Sequence, residues 1–95
     1  MKKGLKKMTS ADLVYQVLKV IEQGKEPKAL ELGVDSEDFK VVMEQVHDSN
    51  FATNIAFSRG GRGNPIRTVH ANGSELTTLG LKFISEYEAR IKANS

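Results

Sequence analysis

Residues 51–71 read FATNIAFSRGGRGNPIRTVHA, two short apolar runs on either side of a glycine-rich basic tip. In the first run, 51–57, the residues Phe, Thr, Ile and Phe alternate with Ala, Asn and Ala, and the second run, 66–71, has a similar period of two. This period is typical of β-strands, so the stretch predicts a β-hairpin with a basic tip. Asn72-Gly73 can form a tight turn, but no third strand pattern follows it. We therefore interpret this pair as a loop.

A long helical pattern follows this loop, and Thr77 or Thr78 supplies its N-terminal cap. Its apolar stripe extends over four turns and comprises Leu76, Leu79, Gly80, Phe83, Ile84, Tyr87 and Ile91. A glycine inside a helix costs about 1 kcal/mol, so Gly80 predicts close approach of another backbone. The helix measures roughly 25 Å, about twice the expected radius of gyration of ~12 Å. We expect its far end, at Tyr87 and Ile91, to project and to contact a second copy of the chain.

The first helix of the chain is predicted to begin at Thr9 or Ser10, whose hydroxyls can cap free amides. Gly24 ends it, because helices favour a left-handed residue at that point. The residues at helical spacing on its apolar face are Leu13, Val14, Val17, Leu18 and Ile21.

A short helical segment at 27–32 comes next, and both of its leucines, Leu30 and Leu32, are expected to reach the core. A third helix begins at Asp35 or the next residue and ends at Asn50, which tolerates the left-handed conformation. Its apolar stripe comprises Phe39, Val42, Met43 and Val46.

This order of elements predicts an α+β winged helix-turn-helix, with three helices, a two-stranded β-hairpin wing and a long C-terminal helix. The 95 residues are enough for one small domain, which we place at 9–95 behind a basic flexible arm at 1–8. No run approaches the ~20 apolar residues of a membrane span, and the lysines of the arm precede no signal-peptide core. We expect a soluble, cytoplasmic protein with no membrane contact.

Three short motifs resemble the YjcQ-like family of small, poorly characterised winged-helix proteins from bacteria and their prophages. They are LGV (32–34) before an acidic helix start, NF (50–51) at the end of that helix, and ELTxxGxxFI (75–84) after the hairpin. The resemblance covers about 9–88 and implies a winged-helix fold and a phage-linked bacterial origin. It implies no reaction and no catalytic or ligand residues.

Charge is distributed unevenly along a chain whose net charge is +2. Segment 1–8 carries four lysines, 9–50 carries four lysines against nine acids, and 51–74 carries three arginines and no acid. The last segment, 75–95, is balanced at three against three. The arm and the hairpin are therefore basic and the helical front half is acidic, which bears on the choice of partner.

In a standard helix-turn-helix protein the third helix enters the major groove of DNA. With Phe39 at the centre of the buried face and a turn of about 100° per residue, the outward positions are Glu37, Val41, Glu44, Gln45 and Asp48. Three of these five are acids and would repel phosphates. A solvated acidic face or a contact with another protein is therefore the favoured interpretation of this helix.

The basic hairpin tip leads to the opposite expectation. An arginine at such a tip can enter a narrow minor groove or hold phosphate, and the glycines allow close backbone approach. An ordinary solvated hairpin behind a solvated tail is the alternative. The candidate nucleic-acid contacts are Arg59, Arg62, Arg67, Lys2, Lys3, Lys6, Lys7, Lys40 and Gln45, of which Gln45 can pair with adenine.

Two functions follow as hypotheses. The first is a small DNA-binding, transcription-regulatory protein that contacts double-stranded DNA through the hairpin and the arm more than through the third helix. The second is a protein-interaction module that does not bind DNA. The candidate protein contacts are Glu37, Val41, Glu44 and Asp48, together with Tyr87 and Ile91 for a homodimer through the last helix.

Enzymatic and metal chemistry have little support in the sequence. There is no cysteine, and the only histidines, His47 and His70, lack ligand spacing. The glycines at 60–63 are not followed by the lysine-hydroxyl pair of a phosphate loop. We expect no catalytic residue, no metal and no cofactor.

Overall fold

Four helices and two short antiparallel strand pairs form the computed structural model, which describes residues 10–59 and 66–93. The elements are α1 (Ser10–Glu22), α2 (Ala29–Leu32), α3 (Ser36–Asp48), β1 (Ala52–Thr53), β2 (Ala56–Arg59), β3 (Ile66–His70), β4 (Glu75–Leu76) and α4 (Thr78–Ala93). The predicted α+β class, the antiparallel strand pair and the long C-terminal helix are confirmed. Within the described residues, none of the helices has the length and apolar character needed to cross a bilayer.

Local side-chain chemistry sets the ends of the helices. The carboxylate of Asp35 accepts a hydrogen bond from the amide of Glu37 at 3.1 Å, so Asp35 caps α3 as predicted. Gly33 ends α2 with φ at 71°, and Asn50 follows α3 with φ at 62°. These left-handed residues stop the helices at the points that the sequence indicates.

The core lies between the apolar faces of α1 and α3 and is closed by strand residues and by α4. Both predicted helix stripes are buried in full. The core residues are Leu13, Val14, Val17, Leu18, Ile21, Phe39, Val42, Met43, Val46, Ala52, Ile55, Ala71 and Ile84.

The predicted first strand, 51–57, is divided in two. Ala52 and Ile55 are both buried although they lie three residues apart, and a single continuous strand would place them on opposite faces. Asn54, with φ at 60°, breaks the strand, and its side-chain amide donates to the Gly73 carbonyl at 3.0 Å. The left-handed residue turns the chain so that both apolar residues face the core.

The interpretation of Asn72-Gly73 as a plain loop is wrong. A short strand follows it, and this strand pairs with β1 in the register Ala52↔Leu76 and Thr53↔Glu75. The turn is closed by the buried hydroxyl of Ser74, which donates to the Ala71 carbonyl at 2.7 Å. The sequence around β4 shows no strand pattern, because β4 is only two residues long. Its partner β1 is also distant along the chain, so no local spacing predicts the pairing.

The start of α4 is held against the segment that follows α3. The Thr77 hydroxyl accepts from the Gly80 amide at 3.1 Å, which confirms the predicted cap, and donates to the Asn50 carbonyl at 2.6 Å. The Thr77 amide donates to the Phe51 carbonyl at 3.0 Å. A Cβ at Gly80 would overlap that Phe51 carbonyl, so the predicted close backbone approach is confirmed.

Two leucines that were expected in the core lie outside it. Leu30 is 91% exposed, because α2 is a single turn and only one of its leucines, Leu32, packs against the core. On α4 the buried residues are Gly80 and Ile84. Leu79 lies about 100° from Gly80 around the helix, at the margin of this stripe, and is half-exposed.

Candidate nucleic-acid interface

Two of the predicted arginines, Arg59 and Arg67, lie in the strands of the β2–β3 hairpin. Ser58 pairs with Thr68 and Arg59 pairs with Ile66, so the register shifts by one residue between the two pairs. Arg67 is therefore the extra residue of a β-bulge beside Arg59. A bulge increases the local twist of a hairpin, and here it lies at the end of the ladder that leads to the basic tip. Arg62 lies outside the described residues.

The base of this hairpin is anchored on α3. Phe57 and Val69 form a register pair, and both are partly buried against the core. The ring of His47, near the end of α3, meets the Phe57 ring edge-on with centroids 5.3 Å apart and an interplanar angle of 77°. These contacts fix where the two strands leave the core, and so they fix the direction in which the arginine-bearing end of the ladder extends.

The outer face of α3 is exposed and acidic, as its spacing predicts. Glu37, Gln45 and Asp48 are exposed, Glu44 is half-exposed, and Val41 is 57% exposed. Gln45, the candidate for reading adenine, therefore lies among carboxylates. A helix with this surface is poorly suited to lie against phosphates.

The one lysine among the α3 candidates does not offset these acids. The Lys40 ammonium lies 3.1 Å from the Glu37 carboxylate, and its side chain is 23% exposed. At the other end of the helix, Nδ1 of His47 lies 3.1 Å from the Asp48 carboxylate. Lys40 is thus committed to an intrahelical pair and is less available to a phosphate than a free lysine.

At Tyr87, the far end of α4 packs against α1 instead of projecting. The Tyr87 ring stacks on the Tyr15 ring of α1 with centroids 4.2 Å apart, and its hydroxyl donates to Asp12. Ile91 lies about one turn beyond Tyr87 on α4 and is 50% exposed. Tyr87 is therefore used within the chain, and a homodimer contact at Ile91 stays a prediction.

A polar cluster beside the tyrosine stack joins α1 to α4, and no pattern in the sequence predicts it. The Tyr15 hydroxyl donates to the Glu88 carboxylate at 2.7 Å. The Lys19 ammonium lies 2.8 Å from Glu22 and 3.4 Å from Glu88. Tyr15 and Lys19 stand one turn apart on α1, but their partner on α4 is about seventy residues away, so no local spacing reveals the cluster.

These hydrogen bonds and charges shift the pKa values of Glu88, Tyr15 and Tyr87. The hydrogen bond from Tyr15, with the nearby charge of Lys19, lowers the pKa of Glu88. The same bond raises the pKa of Tyr15, because loss of its proton would place a second negative charge beside the carboxylate. The bond to Asp12 raises the pKa of Tyr87 in the same way.

The lowered pKa of Glu88 predicts a pH-dependent contribution to stability. A carboxylate whose pKa is lower in the folded state than in the unfolded state stabilises the fold at pH values above its ordinary pKa of 4.5. This contribution is lost as the pH falls below that value. We expect Glu88→Gln to lower the urea midpoint at pH 7 and to have a smaller effect at pH 3. Glu86→Gln, the same change at a nearby exposed position, is the control. An equal effect of Glu88→Gln at both pH values would contradict the assignment.

The remaining candidates divide into those the structure describes and those it does not. Lys2, Lys3, Lys6 and Lys7 lie outside the described residues. Within residues 10–59 and 66–93, no group of three or more histidine or acidic side chains is placed to hold a metal ion. Comparison of the chain with protein-family models, curated proteins and solved structures finds no match.

Proposed function

We propose that this protein is a winged-helix, non-enzymatic DNA-binding protein that regulates transcription, and that the β2–β3 hairpin is its wing. The order of elements and the resemblance of its motifs to the YjcQ-like family support this proposal, as does the connection to bacteria and prophages that the resemblance implies. The partner is double-stranded DNA. The lysines at 2, 3, 6 and 7 add contacts to the sugar-phosphate backbone.

The observation that carries the proposal is the bulge at the end of the hairpin ladder. It brings the backbones of Arg59 and Arg67 to neighbouring positions, and Arg62 lies between them in the sequence. No acid occurs anywhere in 51–74, so the positive charge of this segment is uncompensated along the chain. Such a group of arginines suits phosphates or a narrow minor groove.

The charge of α3 determines which surface faces the duplex. Its outer face carries Glu37, Glu44 and Asp48, and its Lys40 is paired. Contacts that release counterions must therefore come mainly from the wing and from the arm. Binding of this kind is weakly sequence-dependent, because phosphate contacts set position and carry little base information.

A salt series with a generic DNA duplex tests the proposal. If three arginines engage phosphates, the logarithm of the association constant falls with the logarithm of salt concentration at a slope of about −3. We expect the triple variant Arg59→Ala, Arg62→Ala, Arg67→Ala to flatten this slope. The matched control removes three positive charges elsewhere, at the exposed residues Lys25, Lys28 and Lys82, and should keep the slope. Absence of binding at low salt, or equal slopes for the two triple variants, would contradict the wing assignment.

A second candidate function is a protein-interaction module that uses the outer face of α3 and does not bind DNA. The observation that favours it is the exposure of Val41, an apolar residue at 57%, between carboxylates. An exposed apolar residue flanked by acids suits a basic partner protein better than it suits a nucleic acid.

Charge reversal of this face tests the second function. Glu37→Lys, Glu44→Lys and Asp48→Lys together should abolish retention of a protein partner that the native chain captures. The triple arginine variant of the wing serves as the control and should retain that partner. Equal capture by the native and charge-reversed chains would remove the acidic face from consideration.

A further inference from the structure

The turn before β4 contains the one asparagine–glycine pair of the chain. Asn72 and Gly73 are both exposed, and Gly73 is left-handed with φ at 79°. A Cβ placed on Gly73 would meet no atom within 4 Å, and Gly73 also lines an open cleft of about 450 Å³. Solvent water therefore has access to both residues of this pair.

The two ends of this turn are held by hydrogen bonds and its middle is not. The Ser74 amide and hydroxyl both donate to the Ala71 carbonyl, at 3.2 and 2.7 Å, and the Gly73 carbonyl accepts from Asn54. Among the residues that the structure describes, no hydrogen bond involves the Asn72 carbonyl, the Asn72 side chain or the Gly73 amide. The peptide unit between Asn72 and Gly73 can therefore rotate, as it does between common turn types, without breaking a described hydrogen bond.

We propose that Asn72 deamidates spontaneously in the folded protein and that the isoaspartate product loosens this turn. The Gly73 amide nitrogen loses its proton to hydroxide and attacks Cγ, the side-chain carbonyl carbon of Asn72. A bond forms between this nitrogen and Cγ, and the bond between Cγ and Nδ2 breaks. The departing nitrogen takes a proton from water and leaves as ammonia, so that a succinimide ring remains.

Water then opens the ring, and the reaction needs no oxidant or reductant. Attack at Cγ restores the ordinary main chain and leaves an aspartate. Attack at the main-chain carbonyl carbon breaks its bond to the Gly73 nitrogen instead, so the chain runs through Cβ and Cγ as isoaspartate. Both products replace a neutral amide by a carboxylate in segment 51–74, which contains no acid.

The residues that follow the other asparagines disfavour the same attack. The asparagines at 50, 54, 64 and 94 precede phenylalanine, isoleucine, proline and serine, respectively. Proline has no amide proton, and a Cβ on the following residue hinders the approach of its nitrogen. Asn54 is also exposed and left-handed, but its side-chain amide donates to the Gly73 carbonyl and the Ile55 that follows it is buried. We therefore expect the reaction first at Asn72.

Isoaspartate lengthens the main chain by one carbon inside a closed turn. The two hydrogen bonds from Ser74 to the Ala71 carbonyl span this turn, and β4 begins directly after it. The pairing of β4 with β1 therefore depends on the length of the turn. Deamidation of Asn72 does not depend on DNA binding and its tests contain no DNA, so the failure of one proposal is distinguishable from the failure of the other.

Incubation of the full chain in mildly alkaline buffer provides the first test. After digestion with trypsin in mildly acidic buffer, the peptide 68–82 contains Asn72 as its only asparagine and has no glutamine. We expect this peptide to gain about 1 Da and to separate into two products of equal mass. Because the attack requires a deprotonated amide, the rate of conversion should fall roughly tenfold when the pH of the incubation is lowered by one unit.

A variant and an internal comparison control this test. Asn72→Gln keeps an exposed amide but lengthens its side chain by one carbon, which disfavours ring closure, so the mass of the peptide should stay constant over the same period. The peptide 41–59, which contains Asn54, should convert more slowly than 68–82. Faster conversion at Asn54 would overturn the proposal. So would an unchanged Asn72 in the folded chain under conditions in which a synthetic peptide 68–82 converts.

Thermal unfolding of the incubated chain tests the effect on the turn. After chromatographic separation, the isoaspartate form should melt roughly 10 °C below the fresh chain, the shift expected from loss of the two Ser74 hydrogen bonds. Asn72→Asp carries the same charge on an ordinary main chain and should melt within about 3 °C of the native protein. Equal melting temperatures of the isoaspartate form and of Asn72→Asp would overturn the proposed loosening of the turn.

Discussion

Gly80→Ala is expected to destabilise the protein by about 2 kcal/mol, although alanine is the better helix former. In an open helix this change gains about 1 kcal/mol. Here the added Cβ would overlap the Phe51 carbonyl oxygen and come within 3.1 Å of its carbon. Overpacking of this kind typically costs 1–3 kcal/mol and occasionally more, and we place it at about 3 kcal/mol because the obstacle is backbone.

The Phe51 carbonyl has little freedom to move away. It accepts the Thr77 amide at 3.0 Å, and the Thr77 hydroxyl holds the neighbouring Asn50 carbonyl at 2.6 Å. A shift that relieved the overlap would therefore weaken the contacts that place the start of α4.

Thermal unfolding of Gly80→Ala and of Ser85→Ala, an exposed change on the same helix, measures this effect. A loss of about 2 kcal/mol corresponds to roughly 10 °C for a domain of this size. The control should lie within about 0.5 kcal/mol of the native chain. A melting temperature of Gly80→Ala equal to or above that of the native chain would show that helix propensity outweighs the backbone contact.

Gly80 also shows which parts of the fold could be predicted from the sequence. Its position on an apolar stripe predicted a close backbone approach, and the structure supplies the partner that the sequence could not name, the Phe51 carbonyl. The caps at Asp35 and Thr77 and the left-handed Asn50 were predictable for the same reason. Each depends on one residue and its immediate neighbours along the chain.

Features that depend on distant residues were not predictable. The pairing of β4 with β1 joins Ala52 to Leu76, and the two-residue strand has no periodicity of its own. The break at Asn54 is stabilised by the Gly73 carbonyl on that same distant turn. The sequence of 51–57 therefore does alternate with a period of two, but the left-handed Asn54 changes which alternate positions face the core. Ala52 faces the core before the break and Ile55 faces it after the break.

In the candidate interface, too, features set by local spacing were predictable and features set by distant residues were not. The exposure of the α3 acids follows from helical spacing, so it was predictable from the position of Phe39. The pairing of Lys40 with Glu37 is a local i, i+3 contact of the kind that helical spacing makes possible. The contact of Tyr87 with α1 could not be predicted from the sequence, because the two helices are brought together only by the completed core.

Leu18→Ala is expected to cost about 3 kcal/mol, whereas Leu30→Ala should cost less than about 0.5 kcal/mol. The chemical change is the same and both residues lie in helices, so differences in helix propensity nearly cancel. Leu18 is 0% exposed in the core, and its truncation leaves a cavity that the surrounding side chains fill only in part. Leu30 loses only solvent contact. Urea unfolding of the two variants therefore separates the buried face of the fold from its exposed one.

The size of the Leu18→Ala effect also bears on the proposed functions. A 95-residue domain is stable by roughly 5–14 kcal/mol, so a loss of about 3 kcal/mol removes a large fraction of that margin. An exposed leucine that contributes nothing to this margin is free to serve a contact, and Leu30 precedes the acidic face of α3 in the chain. A loss above about 1 kcal/mol in Leu30→Ala would mean that α2 packs more closely than its exposure indicates, and Leu30 would then be part of the core that the sequence predicts.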